Sequence, residues 1–244
     1  MTELLSTKGI SRRFGGIQAV QDCNISVQAG SITGLIGPNG SGKTTLFNLI
    51  TGVYNPDNGQ ATFQGKQITG LSPSQICHEG LSRTFQITRL FWEMTVLENM
   101  IVPIRQVGLR SLLGPNMFKE EIDRAMVLLE RVGLTHLKDE LAGKLSFGQQ
   151  KLLEFAAILM AKPTMVMLDE PAGGVNPTMI RFIMQLILEL NQDNVTFLVV
   201  EHNMGVVMEL CTHVIVMDQG TKLAEGAPEE IQANPAVLEA YLGN

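Results

Sequence analysis

The chain has 244 residues, 45% of them hydrophobic and 17% charged, with a net charge of −6. That length suits one large domain or a domain with a subdomain, and the acidic balance argues against nucleic acid as a partner, whose backbone is bound by clustered Lys and Arg. No run approaches the ~20 apolar residues of a membrane-spanning helix, and the start, MTELLSTKGISRRF, has an early acid and no apolar core, so it does not read as a secretory signal.

The first thirty residues, with bursts such as ISRRF and NISVQAG, predict strands. SITGLIG, ending at Gly37, is a compact apolar run and predicts a buried strand. KTTLFNLITGV predicts a helix, YNPDNGQATFQGKQITG short strands between turns, and LSPSQICHEG a short helix capped by Ser72 with Pro73 in its first turn. From about Gln86 to Met160 the pattern turns helical. Thr95 and Glu98 form a capping box for TVLENMIV, GLRSLLGPNMF predicts a loop, and Ile122, Ala125, Met126 and Leu129 mark one face of a helix ended by Gly133. LSFGQQKLLEFAAILM predicts the next helix, stopped near Pro163. Strands return in TMVMLDE and VTFLVVEH, separated by the helix NPTMIRFIMQLILEL with Asn176 as its cap and Pro177 at its first turn. HVIVMDQGTKLAEG predicts a hairpin around Gly220, and short helices close the chain.

GPNGSGKTT, Gly37 to Thr45, fits G-x-x-x-x-G-K-[ST] between a predicted strand and a predicted helix. In that context the glycines let backbone N–H groups curl around phosphate, and the helix start adds favourable partial charge. Lys43 is expected to reach the β- and γ-phosphates and Thr44 to ligate Mg²⁺. VMLDEP supplies carboxylates. Asp169 ends a buried strand, where an unpaired charge is costly, and a Mg²⁺ shared with Thr44 would offset that cost. Glu170, one residue on, is placed to polarise an attacking water. His202 follows another buried strand, either as an ordinary strand-end histidine or as a sensor of a γ-phosphate. Gln86 reads either as a polar surface residue or as a contact at the boundary of the helical segment. In LSFGQ, Leu145 to Gln149, Ser146 is an N-cap. Gly148 is a poor helix former inside the first turn, which fits a close approach to the backbone there. Cys23, Cys77 and Cys211 lack metal-ligand spacing and read as reduced, mostly buried thiols.

In this order, GPNGSGKTT, TFQ, LSFGQQ, VMLDEP and EH resemble the ATPase subunit of an ABC transporter over almost the whole chain. The resemblance implies an α/β fold, a P-loop NTPase core with an N-terminal antiparallel β subdomain and an inserted helical subdomain. The chain then reads as one domain, with the core at about 1–86 and 161–244 and the helical part at about 87–160. It implies ATP and Mg²⁺ as ligands. Gly37, Pro38, Asn39, Gly40, Ser41, Gly42, Lys43, Thr44 and Thr45 would hold the nucleotide, with Phe14 stacked on adenine; read from the residues alone, Phe14 is instead a strand core position. Asp169, Thr44 and Gln86 would serve the metal. Glu170 would be the catalytic carboxylate, His202 the switch histidine and Gln86 the Q-loop glutamine. Leu145, Ser146, Phe147, Gly148 and Gln149 would be the signature, which closes on ATP held by a partner in a head-to-tail dimer. Two departures stand out: Phe147 where many members have glycine, and Asn176 where many have a D-loop aspartate.

A narrower resemblance joins RTFQITRLFWEMTVLENM and EGAPEEIQANPAVLEAYLGN to the ATPases of branched-chain amino acid importers and their relatives for urea and short amides. It implies a second ATPase, identical or similar, two transmembrane permease subunits and, through them, a solute-binding protein, with this chain peripheral on the cytoplasmic face of the inner membrane. The competing readings are the ATPase of an exporter or lipid extractor and a non-transport ATPase acting on nucleic acid or ribosomes.

Overall fold

The computed structural model describes residues 2–84, 90–102 and 115–242. Two sheets enclose one helix. The first is antiparallel, in the order β2 (Ile17–Cys23), β1 (Glu3–Phe14), β5 (Asn58–Phe63), β6 (Lys66–Gln67), with β3 (Ser26–Gln28) also paired to β1. The second has the order β11 (Thr221–Gly226), β10 (His213–Asp218), β4 (Ile32–Ile36), β9 (Thr196–Val200), β8 (Met165–Asp169), β7 (Leu81–Arg83). Its pairs are parallel except for the β10–β11 hairpin.

Side chains that alternate along the parallel strands divide the interior in two. Val166 and Leu168 face a core shared with the helices on one side, while Met165 and Met167 face a second core that contains α1 (Lys43–Ile50) and the antiparallel sheet. The other inner strands split the same way, as Phe197 and Val199 against Leu198 and Val200 show. Burial on both faces is why these strands read as unbroken apolar runs rather than alternating ones. Leu46, Phe47, Leu49 and Ile50 are all buried, so α1 is fixed between the two sheets.

Several helix starts follow the predicted chemistry. Ser72 caps α2 (Pro73–His78) and Thr95 caps α3 (Val96–Ile101), each through a capping box with the residue three positions on. Asn176 Oδ1 accepts the Met179 N–H at 2.9 Å and caps α6 (Pro177–Gln192). Gly133, at φ 70, ends α4 (Pro115–Arg131), and the Leu134 N–H returns to the Leu129 carbonyl.

Two local readings of α4 change, and two short elements carry no sequence signal. Helix α4 starts at Pro115, inside the stretch predicted as a loop, because proline needs no N–H partner in a first turn. Of the predicted face of α4, Ala125 and Leu129 are buried and Met126 packs on the core, while Ile122 is exposed; Leu128 and Val132 complete the buried stripe. β7 and α7 (Met204–Leu210) carry no clear period in the sequence; three and seven residues are too short to show one. Most of the predicted loop before α4 lies outside the described residues.

Candidate nucleotide-binding and hydrolytic site

The loop from Gly37 to Gly42 joins β4 to α1. Two of its glycines are required by space as well as by dihedral angle. Gly37 has φ 146, and a Cβ there would lie 2.0 Å from the Met217 carbonyl oxygen; Gly42 has φ 99, and its Cβ would lie 2.4 Å from the Ala19 carbonyl oxygen. The loop is therefore pressed against the β10–β11 hairpin and β2, and the Gly220 N–H donates to the Ser41 carbonyl at 3.0 Å. Lys43 turns into this ring. Its Nζ donates to the carbonyls of Gly37 at 2.8 Å and Pro38 at 2.9 Å, and to Ser41 Oγ at 3.3 Å. Burial pulls the Lys43 ammonium below its usual pKa, and the carboxylates of Glu170 and Asp169 oppose that fall.

A cleft opens above the loop, lined by Asn39, Gly40, Gly42, Lys43, Thr44 and Thr45 together with Ile17, Gln18, Ala19, Glu170 and His202. It gathers the phosphate loop and both candidate catalytic side chains, which lie far apart in sequence. Glu170 Oε1 and His202 Nε2 are 2.7 Å apart. Glu170 has φ 52, a conformation rare for a residue with a Cβ and typical of strained functional positions.

Asp169 differs from its neighbour. Its side chain is buried, and Oδ2 accepts a hydrogen bond from Arg83 Nη2 at 2.8 Å. Arg83 also donates to Asn48 Oδ1 at 2.6 Å and stacks over the Phe47 ring at 5.3 Å. The charge that the sequence assigned to a metal alone is thus already offset by a guanidinium. Asp169 Oδ1 is buried and has no hydrogen-bond partner among the described residues. That free oxygen is a hard donor of the kind that suits Mg²⁺, which takes few protein ligands and fills its sphere with phosphate and water; Thr44, the other residue expected to hold the ion, lines the cleft. No group of three or more His, Cys, Asp or Glu side chains among the described residues forms a dedicated metal cage.

The signature residues sit at the start of α5 (Phe147–Leu159). Ser146 caps it in a capping box with Gln149, and Leu145 is buried. Phe147 is 49% exposed. What comes close to Gly148 within this chain is Met179, whose Cε lies 3.0 Å from where a Cβ would be. Phe14 is exposed, so it is not a strand core residue; its ring meets Tyr54 edge-on at 5.2 Å, and Ile17 to Ala19, just after it in the chain, line the cleft. Gln86 lies outside the described residues.

Three residues of this region were missed from sequence: Arg83, Lys151 and Glu201. Lys151 Nζ donates to the carbonyls of Glu170 at 3.1 Å and Gly173 at 2.7 Å. The buried Glu201 accepts the Ala172 N–H at 2.8 Å and the His202 N–H at 3.2 Å. The only sequence signal for them is a charge set among apolar neighbours, as in FLVVEH and QQKLLEF.

Comparison with known proteins agrees with this geometry. The ABC transporter family matches residues 20–173, and a family described as branched-chain amino acid ATP-binding cassette transporter matches residues 221–244. The high-affinity branched-chain amino acid transport ATP-binding protein LivG of Salmonella typhimurium is 45% identical over 98% of both chains, and BraF of Pseudomonas aeruginosa is 42% identical over 98% of both. Among solved structures, a nucleotide-free ATP-binding cassette from an ABC transporter superimposes with a TM-score of 0.88 at 40% identity over 100% of both chains. A cassette in its ADP conformation gives 0.88 at 38% over the same extent. The chain is an ATP-binding, ATP-hydrolysing cassette and belongs to the ABC transporter family.

Proposed function

We propose that this cassette is the energy-coupling ATPase of an importer for branched-chain or other small amino acids. The observation that carries the proposal is the full-length similarity to ATP-binding proteins named for branched-chain amino acid transport, which extends through a C-terminal segment of the same description. In this reading the chain is one domain, with its core at about 1–86 and 161–244 and a helical part at about 87–160. It pairs head to tail with itself or a similar second ATPase on the cytoplasmic face of the inner membrane. Two permease subunits supply the span and receive solute from a binding protein. Among the described residues no helix is long and apolar enough to cross a membrane.

The mechanism follows from the side chains. An incoming phosphate offers Lys43 anionic acceptors in place of the loop carbonyls it now holds, while the Gly40–Thr45 backbone and the start of α1 take the remaining oxygens. Phe14 stacks on the adenine. Thr44, Asp169 and Gln86 would hold Mg²⁺, which supplies neutralising charge on the β- and γ-phosphates. Glu170 polarises the water and takes its proton, and His202 orients that carboxylate and touches the γ-phosphate. Ser146, Gly148 and Gln149 of the partner subunit close the far side of the nucleotide, with Asn176 in the D-loop between them. Closure needs the γ-phosphate, so hydrolysis and release shift the population back to the open form.

The stretch Leu90 to Met94 is our proposed seat for a short permease helix. Phe91 and Trp92 are exposed there while Leu90 is buried. The carbonyls of Trp92 and Met94 accept the N–H groups of Gly143 and Ala142, just ahead of the signature. Force on this stretch therefore has a hydrogen-bonded route to Leu145. Trp92→Ala is expected to weaken permease assembly or stimulated ATPase; no change in either would remove this seat.

The deciding experiment is gentle affinity purification of the chain from native membranes, with mass spectrometry of what accompanies it. Two hydrophobic permease subunits, a similar ATPase and a solute-binding protein are expected. Recovery of soluble partners only would overturn the transport role and leave the ATPase chemistry standing.

A further inference from the structure

The Glu170–Gly173 turn is held by two charged side chains that the hydrolytic reading does not use. Glu170 sits at φ 52, and a strained residue persists only when its surroundings over-determine it. Lys151, from the signature helix, bonds the carbonyls of Glu170 and Gly173. Glu201, from the end of β9, bonds the N–H groups of Ala172 and His202. One clamp thus grips the main chain of both members of the Glu170–His202 pair. On its other side, the Lys151 ammonium lies 5.3 Å from the centre of the Phe147 ring, the exposed aromatic of the signature. Phe147 also packs against the D-loop, its Cε1 lying 3.1 Å from where a Cβ on Gly174 would be.

We propose that Lys151 and Glu201 are positioning residues that fix the Glu170 backbone and tie it, within one subunit, to the signature face on which the partner's nucleotide closes. The inference rests on Glu170 as the hydrolytic carboxylate. Seating of a nucleotide against Phe147 is then felt through Lys151 by the subunit's own Glu170, so that each site senses whether the other is closed. A half-buried ammonium costs desolvation that a neutral donor would avoid. Its charge also lets it reach the two carbonyls and the Phe147 ring together.

The test is single-turnover hydrolysis and equilibrium Mg-ATP binding by the full-length chain, with thermal melts alongside. Lys151→Met keeps the stem and loses the donors. It is expected to slow hydrolysis roughly 10- to 100-fold, as small misplacements of catalytic groups do, with ATP affinity held within about twofold. Lys151→Arg is expected to recover most of the rate. Glu201→Gln, an independent variant should Lys151→Met fold poorly, is expected to act in the same direction. The double variant should be no slower than the worse single, as for residues acting as one unit. An unchanged rate in either single variant, a parallel loss of affinity and melting temperature, no rescue by arginine, or simple multiplication of the two defects would each overturn the proposal. Glu170→Gln is measured beside them. If it retains turnover, the hydrolytic reading itself has failed; if it loses turnover while Lys151→Met does not, only the clamp has failed.

Discussion

Glu170 Oε1 lies 2.7 Å from His202 Nε2, a hydrogen bond between the ends of two neighbouring parallel strands. The contact decides how the carboxylate is presented. One oxygen is held by the imidazole, and the other, Oε2, lies 3.7 Å from where a Cβ on Gly173 would be. The pair is assembled by topology: β8 and β9 are in register through Asp169 and Val200, and each functional residue follows its strand end by one or two positions.

Glu170→Gln keeps an oxygen for His202 and removes the base. Turnover is expected to fall roughly 10²- to 10⁴-fold, the range for loss of general base catalysis, while ATP binding persists. ATP that is bound and not hydrolysed should accumulate the closed dimer. Light scattering at saturating Mg-ATP checks this, in the permease-bound assembly if the isolated subunits stay apart. A Glu170→Gln chain that remains monomeric in both settings would mean that the carboxylate does not control opening.

Arg83 and Asp169 form a buried pair, with the two side chains 6% and 1% exposed. Removing one partner of such a pair costs about 3–5 kcal/mol, because the remaining charge is left uncompensated. Arg83→Met should therefore melt well below the wild type. Mg-ATP should then stabilise the variant more than it stabilises the wild type, since the metal ion replaces the lost positive charge beside Asp169. Equal melting shifts with Mg-ATP would show that the ion does not come near this carboxylate.

How much of this was legible in the sequence follows from how local each feature is. The phosphate loop was readable because its spacing, its strand and its helix are contiguous. The caps at Ser72, Thr95, Ser146 and Asn176 were readable because each bond spans three residues. Glu170 and His202 could be named, but their contact could not, since it spans 32 residues. Arg83 was invisible for the same reason: its meaning comes from Asp169, 86 residues away. Gly148 was read as a place where something comes close; within the chain that neighbour is Met179, brought there by the packing of α6 on α5. On α4 the predicted period holds at Ala125, Met126 and Leu129, and only Ile122, a turn ahead of them, is left exposed.

The three thiols should differ sharply in reactivity. Burial pushes the pKa of Cys23 up to about 11 and that of Cys211 up to about 12, with the charge of Glu201 adding to the latter. Thiolate is the reactive form, so neither is expected to alkylate at neutral pH in the folded chain. Cys77 is only half-buried, its Sγ 3.7 Å from Ser82 Oγ, and should label first. Timed iodoacetamide labelling with peptide mapping checks the order. Early modification of Cys23 or Cys211 would mean that the antiparallel sheet or α7 opens readily.

Glu201 gives a pH dependence with a defined sign. Burial raises its pKa above the ordinary 4.5, against backbone N–H bonds from Ala172, Asn203 and His202 that favour the ionised form; the charge of Glu170 adds to the rise. The charged and titratable groups around it are Lys151 on α5, Glu170 after β8, Cys211 after α7, and His202 beside it. A carboxyl whose folded pKa exceeds its unfolded value binds its proton more tightly when folded. Its favourable contribution is complete below the unfolded pKa and is lost as pH rises through the folded one. Glutamine does not titrate, so the stability of wild type relative to Glu201→Gln should decline as pH rises above about 4.5. Urea unfolding of both chains across that window measures the difference. A wild-type advantage that grows with pH would mean that the three backbone donors outweigh burial, and that Glu201 holds its turn as a carboxylate with a depressed pKa.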